Sequence, residues 1–239
     1  MDIRTAALTD IGRIREENED RFLCDDTLRL YAVADGIGGL AGGAQAAQTA
    51  VDELTALAKA QPAGGAWNLA AMVTSINEHV ASLGRKIDAD FGIGTTLTAV
   101  RLLQSTMVLA HVGDSSCHLL HNSRIEKLTH DHTLENEVKA RRARGEFIFL
   151  SPRSRQALTR CIGQPVAPEV DVIEHPVGIG DRILLVSDGV TRFIPDNELE
   201  RMLLDARNPA TCLKDIVDLA NSRGGYDNST GVLIFVDSV

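Results

Sequence analysis

Short apolar runs recur along the chain, and several of them end or begin at an aspartate beside a glycine. The run from Leu30 to Ala34 predicts a buried strand, and it leads into Asp35 and a glycine-rich loop at 36–43. Other runs that predict strands are 3–8, 21–25, 97–103, 107–112, 117–122, 170–177, 182–187 and 229–236. The chain is therefore predicted to be rich in β-structure.

Four stretches have apolar positions at helical spacing. The predicted helices are 43–60, 66–87, 195–207 and 209–223, with Asp196 and Asn208 as N-caps of the last two. The stretch QPAGG at 61–65 separates the first pair. Long helices in pairs, set apart from the strands, favour an α+β architecture.

The strands between 97 and 122 are joined by connections of two to four residues. Such short links predict an antiparallel meander. Residues 131–157 then change character, because they are polar and basic in the middle, with a short helix predicted at 133–144. We interpret 131–157 as a flap inserted into a single domain that spans 1–239.

Composition excludes several classes of function. The formal charge of −9 argues against general binding of nucleic acid or anionic membranes. The four cysteines form no CxxC pair, which favours free thiols in a reducing compartment. The first residues, MDIRTAALTDIG, lack the long apolar region typical of a signal peptide, and no apolar run approaches the roughly 20 residues of a membrane helix. We therefore expect a cytoplasmic monomer without a membrane partner.

Four aspartates suggest chemistry. Asp35, Asp114 and Asp188 each follow an apolar run beside a glycine, and Asp227 immediately precedes one. A single Asp-Gly at a strand end is usually only a turn. In an antiparallel arrangement, however, these strand ends can meet at one edge, where the carboxylates repel unless cations neutralise them. Oxygen ligands select Mg²⁺ or Mn²⁺.

A dinucleotide site is the competing interpretation of the same loop. Residues 36–41 fit G-x-G-x-x-A between a strand and a helix. Asp35 would place a negative charge beside the pyrophosphate, and no second parallel strand with an acidic end follows. No GK[ST] follows the glycines either, which excludes a P-loop.

Eight stretches match one known family in that family's order. They are TDIGRIREENEDRF, YAVADGIGGLAGG, GIGTTLTAV, HVGDSS, LTHDHTL, LTRCIG, LLVSDGV and YDNSTGVLI, between Thr9 and Val236. The chain resembles the metal-dependent serine/threonine protein phosphatases of type 2C (the PPM family), in their compact bacterial form. The resemblance implies a four-layer α/β/β/α sandwich, with two antiparallel sheets face to face and helix pairs outside.

The resemblance also implies roles for individual residues. Asp35 would bridge two Mn²⁺ or Mg²⁺ ions, the Gly36 carbonyl would bind one of them, and Asp188 and Asp227 would complete the other shell. Glu19 and Asp20 would form an outer shell, Asp114 a third metal site, and Arg15 the phosphate clamp. The implied reaction is in-line attack by a water that bridges two ions on phosphoserine or phosphothreonine, and a cognate serine/threonine kinase is expected.

The chain departs from the family pattern at three places. Ile37 stands where animal members have a histidine proposed as general acid, so the source of the proton for the leaving group stays open. Ser116 replaces the usual arginine of the GDSR motif. Ser151 and Pro152 stand where His-Pro is common, which leaves the handling of substrate by the flap open.

Other candidate residues have simpler explanations. The basic run Lys139, Arg141, Arg142 and Arg144 is interpreted as a solvated helix face, with docking of acidic peptides as the alternative. His130 and His132 are interpreted as hydrogen-bonded loop residues, and Trp67 and Met72 as helix-packing residues.

Three functions stay open at this point. The first is an active protein phosphatase, the second a catalytically inactive relative that binds phosphoproteins or a kinase, and the third an enzyme for a small phosphoester. Loss of the metal carboxylates would indicate the second, and all of them are present.

Overall fold

The computed structural model describes residues 1–38, 42–62 and 64–238, and in these residues the chain forms ten β-strands and six α-helices. The strands are β1 Ile3–Asp10, β2 Asp20–Asp25, β3 Leu30–Asp35, β4 Leu97–Leu103, β5 Thr106–Val112, β6 Ser116–His121, β7 Arg124–Lys127, β8 Asp171–Pro176, β9 Arg182–Val186 and β10 Ser229–Val236. The helices are α1 Gly43–Lys59, α2 Leu69–Ile87, α3 Leu134–Ala143, α4 Asp188–Thr191, α5 Asp196–Asp205 and α6 Pro209–Ser222.

The strands form two antiparallel sheets in the order β1-β10-β9-β6-β7 and β2-β3-β4-β5-β8. Side chains from both sheets meet in a shared core that includes Tyr31, Leu109, Ile183 and Ile234. Because each of these strands is covered on both faces, its sequence is a nearly continuous apolar run rather than an alternating one.

Helices cover the outer face of each sheet. The first outer core packs α1 and α2 against the β2–β8 sheet through Leu54, Met72 and Ile76. The second packs α5 and α6 against the β1–β7 sheet through Leu199 and Ile216. The shared core between the sheets and the two outer cores thus hold together four layers, helices, sheet, sheet and helices. This confirms the predicted α/β/β/α sandwich.

The predicted meander from 97 to 122 is wrong at its second turn. β4 and β5 pair as a hairpin, but β6 pairs with β9 and β7 in the other sheet. The connection Gly113–Ser115 therefore crosses from one sheet to the other. Its length is that of a hairpin loop, so length alone does not reveal the crossing. Asp114 lies in this connection.

The helix boundaries differ from prediction by a few residues. α2 begins at Leu69 rather than 66, because the Asn68 side chain accepts a hydrogen bond from the Ala71 N–H. Asn208 caps α6 as predicted, whereas the N-cap of α5 is Pro195 rather than Asp196. The short helix α4 was not predicted. Gly39, Leu40 and Ala41 of the glycine loop, and Ala63 of QPAGG, lie outside the described residues.

The predicted flap lies between β7 and β8. It contains α3 and a 3₁₀ turn at Pro152–Ser154. In the basic run of α3 and its C-cap, Arg141 is half-buried and the other three residues are exposed. Three residues of the run pair with glutamates of the same segment, Lys139 with Glu135 and both Arg141 and Arg144 with Glu146. In the described part of the chain, no helix combines the length and apolarity needed to cross a membrane.

Candidate metal centre

Four aspartates meet at one end of the sandwich. β3 and β5 run parallel to each other on either side of β4, so Asp35 and Asp114 leave their sheet at the same edge. β9 ends and β10 begins at the matching edge of the other sheet, which brings Asp188 and Asp227 to the same place. All four line a cleft of about 410 Å³. Its other lining residues are Arg15, Gly36, Ile37, Gly38, Thr96, Gln156, Ala157, Leu158, Cys161 and Arg192.

Hydrogen bonds from the neighbouring strand hold Asp35 in place. Its N–H donates to Thr96 Oγ1 over 2.9 Å, and its carbonyl accepts from the Thr96 N–H and from Thr95 Oγ1 at 2.8 and 2.9 Å. Burial raises the pKa of the Asp35 carboxyl well above its ordinary value, and the negative charges of Asp20, Asp188, Asp114 and Asp227 add to the effect. The site thus concentrates negative charge around Asp35.

Asp114 and Asp188 form a carboxyl pair. Besides burial, the negative charge of Asp114 raises the pKa of Asp188 and so favours the protonated form of Asp188. Burial, as the largest cause, raises the pKa of Asp188 to about 8 and that of Asp114 to about 6. Asp188 Oδ1 is buried without a hydrogen-bond partner among the described residues. Two carboxylates this close need a proton or a cation between them.

Asp20 lies behind the cleft, opposite Asp35 in the register of β2 and β3. Ser187 Oγ donates to its Oδ2 over 2.8 Å, while Oδ1 is buried and lacks a partner in the described part of the chain. Burial raises its pKa to about 7, and Asp188 and Asp227 contribute in the same direction. The predicted outer-shell residue is therefore close to the cleft but does not line it.

Glycines let the backbone come close to this site. The Gly36 N–H donates to the Glu19 carbonyl over 3.2 Å, and a Cβ on Gly36 would overlap the Gly43 carbonyl oxygen. A Cβ on Gly43 would in turn overlap the Glu19 carboxylate. Burial raises the pKa of Glu19, which the nearby Arg15 lowers in part. The absence of a side chain at Gly36 and Gly43 thus lets the backbone and the Glu19 carboxylate pack closely next to Asp35.

Two arginines contact the aspartates. Arg15 NH2 lies 2.9 Å from Asp227 Oδ1, and its NH1 lies 3.8 Å from Glu19. Arg192, which the sequence analysis did not single out, pairs with Asp188 and reaches Asp227 Oδ2 over 3.3 Å. It is the C-cap of α4 and stands four residues after Asp188, a spacing that places the two side chains on one side of the helical turn. That spacing was the available signal for Arg192.

Asn228 is a second residue that sequence reasoning missed. Its Nδ2 donates to the carbonyls of Ile11 and Glu17 at 2.9 and 3.0 Å, and its Oδ1 accepts from the Glu19 N–H over 2.9 Å. The side chain is buried. It ties the β1–β2 loop, which carries Arg15, to the strand that follows Asp227.

Replacing Asn228 with alanine is expected to lower the free energy of unfolding by about 1–3 kcal/mol, because buried carbonyls lose their donors. Asn228→Asp is the matched variant, since it keeps the shape but presents an acceptor to the same two carbonyls. Urea unfolding monitored by circular dichroism measures both. An Asp variant as stable as the wild type would contradict this role for the amide.

His132 fixes the turn that carries Asp114. The Gly113 N–H donates to His132 Nδ1 over 3.0 Å, and the His132 N–H donates to the Gly113 carbonyl over 2.8 Å. Since Nδ1 accepts, the ring proton is on Nε2, which lies 3.1 Å from Asp171 Oδ2 and donates to it. Burial lowers the pKa of His132, which favours this neutral form.

The donor set fits hard divalent cations. The groups at the cleft are carboxylate and carbonyl oxygens, which suit Mg²⁺ or Mn²⁺ rather than Zn²⁺. Asp20 and Asp188 each have a buried carboxylate oxygen without a partner among the described residues, which fits contact with a cation or with metal-bound water. As the side chains stand, no group of three or more His, Cys, Asp or Glu in the described residues is close enough to hold an ion. Arg15 contacts the Asp227 carboxylate, and Arg192 contacts the carboxylates of Asp188 and Asp227. Ion binding at these two carboxylates therefore requires the arginines to shift.

Comparison with known proteins agrees with this geometry. Residues 7–229 match the family model described as Protein phosphatase 2C. The serine/threonine phosphatase stp of Listeria monocytogenes is 36% identical over 238 residues, which cover 95% of this chain and 93% of that protein.

Solved structures share the fold over almost the whole chain. The serine/threonine phosphatase of S. agalactiae has a TM-score of 0.88 and 29% identity, covering 99% of this chain and 100% of that one. The catalytic domain of the serine/threonine protein phosphatase PstP, solved in complex with two manganese ions, has a TM-score of 0.84 and 30% identity and covers 98% of this chain and 99% of that one. The chain belongs to the protein phosphatase 2C family of hydrolases.

Proposed function

We propose that the chain hydrolyses phosphoserine and phosphothreonine in proteins, with two divalent cations, Mn²⁺ or Mg²⁺, held by Asp35, the Gly36 carbonyl, Asp188 and Asp227. Asp114 and Asp188 would hold a third ion, with Glu19 and Asp20 as outer shell. The observation that carries the proposal is the meeting of Asp35, Asp114, Asp188 and Asp227 with Arg15 in one cleft. In this proposal residues 1–239 form one catalytic domain, with 131–157 as a flap beside the cleft.

Each residue has a distinct task. When bound, the ions supply a water of lowered pKa as nucleophile and neutralise phosphoryl charge. Arg15 offers a guanidinium fork to two phosphoryl oxygens, which fixes the phosphate for in-line attack. Ile37 is apolar and cannot donate a proton, so the leaving alkoxide takes its proton from another group. Gln156 and Ala157 of the flap, with Leu158 directly after it, line the cleft and help to exclude water.

Arg15→Ala is expected to raise KM for para-nitrophenyl phosphate by about 10- to 100-fold, because a hydrogen-bonded charge pair worth about 1.5–3 kcal/mol is lost. The effect on kcat should be smaller. The KM of Arg15→Lys should lie between that of the wild type and that of Arg15→Ala, since lysine keeps the positive charge but lacks the two-pronged guanidinium group. Arg201→Ala, on the exposed side of α5, is the control. An unchanged KM in Arg15→Ala would remove Arg15 from the phosphate clamp.

The proposal is tested with EDTA-treated protein, assayed on para-nitrophenyl phosphate and on phosphothreonine peptides. Turnover is expected only after Mn²⁺ or Mg²⁺ is added. Peptide binding without turnover would favour the inactive relative. Turnover of para-nitrophenyl phosphate alone, together with unchanged phosphoserine and phosphothreonine in a deletion strain, would favour a small phosphoester. A cognate kinase and a cytoplasmic location stay predictions.

A further inference from the structure

Three charged residues that pair at the mouth of the cleft have a large apolar or aromatic neighbour in the chain. The pairs are Ile14 with Arg15, Tyr226 with Asp227, and Phe193 with Arg192. We call Ile14, Phe193 and Tyr226 the apolar rim. Because Asp227 contacts both arginines, the three members of the rim come from distant parts of the sequence to flank one ion-pair cluster.

The apolar rim presents a large side-chain surface to solvent. Ile14 is 62% exposed and Tyr226 is 65% exposed. The ring of Phe193 is half-buried in the core beside α5 and α6, and its centroid lies 5.9 Å from that of Tyr226, with the ring planes tilted by 36°. Phe193 therefore anchors Tyr226, and exposed apolar side chains grouped beside a cleft are typical of binding surfaces.

Backbone contacts hold the rim in shape. The Arg13 N–H donates to the Gly225 carbonyl over 2.7 Å, which fastens the Ile14 loop to the Tyr226 loop. Arg223 NH1 donates to the Phe193 carbonyl over 2.9 Å. Gly224 has φ +154°, and a Cβ there would lie 2.7 Å from the Tyr226 ring. A surface that is already ordered loses little conformational entropy when it binds a partner.

We propose that the apolar rim binds an apolar side chain of the phosphoprotein substrate, close in sequence to the phosphorylated residue. This inference rests on the proposed function. A phosphate held at Arg15 places the flanking residues of an extended peptide over the adjoining surface, since successive residues of an extended chain are about 3.3 Å apart. The rim gives this enzyme a preference for apolar residues beside the phosphate, while the arginines recognise the phosphate itself.

The preference is measured with phosphothreonine peptides that carry leucine or serine at one flanking position at a time. For the wild type with Mn²⁺, leucine at one or more positions should raise kcat/KM by about tenfold, mainly through KM, which is within what covering one apolar side chain contributes. Tyr226→Ala and Ile14→Ser should each reduce this leucine-to-serine ratio. Ile179→Ser is the matched control and should keep the wild-type ratio. Ile179 is 69% exposed and lies in the β8–β9 connection, at the end of the sandwich away from the cleft.

Both peptides are assayed on the same sample of each variant, so a reduced fraction of folded protein lowers both rates equally. The leucine-to-serine ratio therefore stays interpretable for a variant that folds poorly. Peptide hydrolysis by the wild type without a leucine preference at any position would overturn this inference alone. An unchanged ratio in both rim variants would overturn it as well. Light scattering that shows a dimer broken by Tyr226→Ala would assign the rim to a second copy instead. Turnover of para-nitrophenyl phosphate without peptide hydrolysis would contradict the proposed function and this inference together.

Discussion

Asp35→Asn is expected to lower kcat by about 100- to 1000-fold, the range found when one group that stabilises charge in a transition state is removed. Asp35 is the proposed bridge between two ions, so its loss affects both. Asparagine keeps the size of the side chain but offers one neutral oxygen in place of a carboxylate. The carboxylate is also half-buried and lies among like charges, so the uncharged variant should be at least as stable as the wild type in the absence of metal.

The test combines steady-state kinetics with thermal unfolding. Asp52→Asn is the control, because Asp52 is an exposed carboxylate on α1. Full activity of Asp35→Asn at saturating Mn²⁺ would contradict the bridging role. A large loss of stability without metal would show that Asp35 supports the fold instead.

Gly189→Ala is expected to damage both the fold and the site. A Cβ on Gly189 would overlap the carbonyl oxygen of Asn228, which belongs to the backbone and has little freedom to move. Overpacking of this kind costs about 1–3 kcal/mol, and about 2–4 °C in Tm for each kcal/mol in a chain of this size. Since Gly189 follows Asp188 and Asn228 follows Asp227, any shift also separates two of the proposed ligands.

Gly178→Ala is the matched control for this prediction. The nearest side-chain atom to a Cβ at Gly178 is Asp181 Oδ2 at 4.0 Å, so this variant should keep the Tm and the activity of the wild type. Calorimetric Tm and Mn²⁺-dependent turnover measure both variants. A Gly189→Ala protein with unchanged Tm would show that the α4 backbone adjusts freely.

The local pattern of apolar and polar residues was sufficient to predict most of the strands and helices. The apolar runs around Ala32 and Leu184 predicted strands because both faces of each sheet are covered, and α1 and α6 have a clear apolar face. Aspartates at strand ends could be grouped because antiparallel pairing brings strand ends and strand starts to one edge. The face-to-face packing of two sheets was predicted from the resemblance to the type 2C phosphatases. The periodicity of apolar residues did not predict it.

Long-range partners could not be predicted from local pattern. β5 and β6 are both buried and separated by a short turn, yet they belong to different sheets, because a strand's partner depends on the whole topology. Asn228 was missed for the same reason, and so was the contact of Arg192 with Asp227, although the spacing of Arg192 from Asp188 was a local signal. Their roles depend on the carbonyls of Ile11 and Glu17 and on Asp227, which are far away in sequence.

A calorimetric titration of metal-free wild-type protein with MnCl₂ tests the proposed metal centre directly. If Asp35, Asp188 and Asp227 form a metal centre, at least two ions should bind per chain, as expected for a two-metal site. Asp35→Asn should lose most of that binding heat. Absence of Mn²⁺ binding by the folded wild type, or an Asp35→Asn isotherm equal to that of the wild type, would contradict the account.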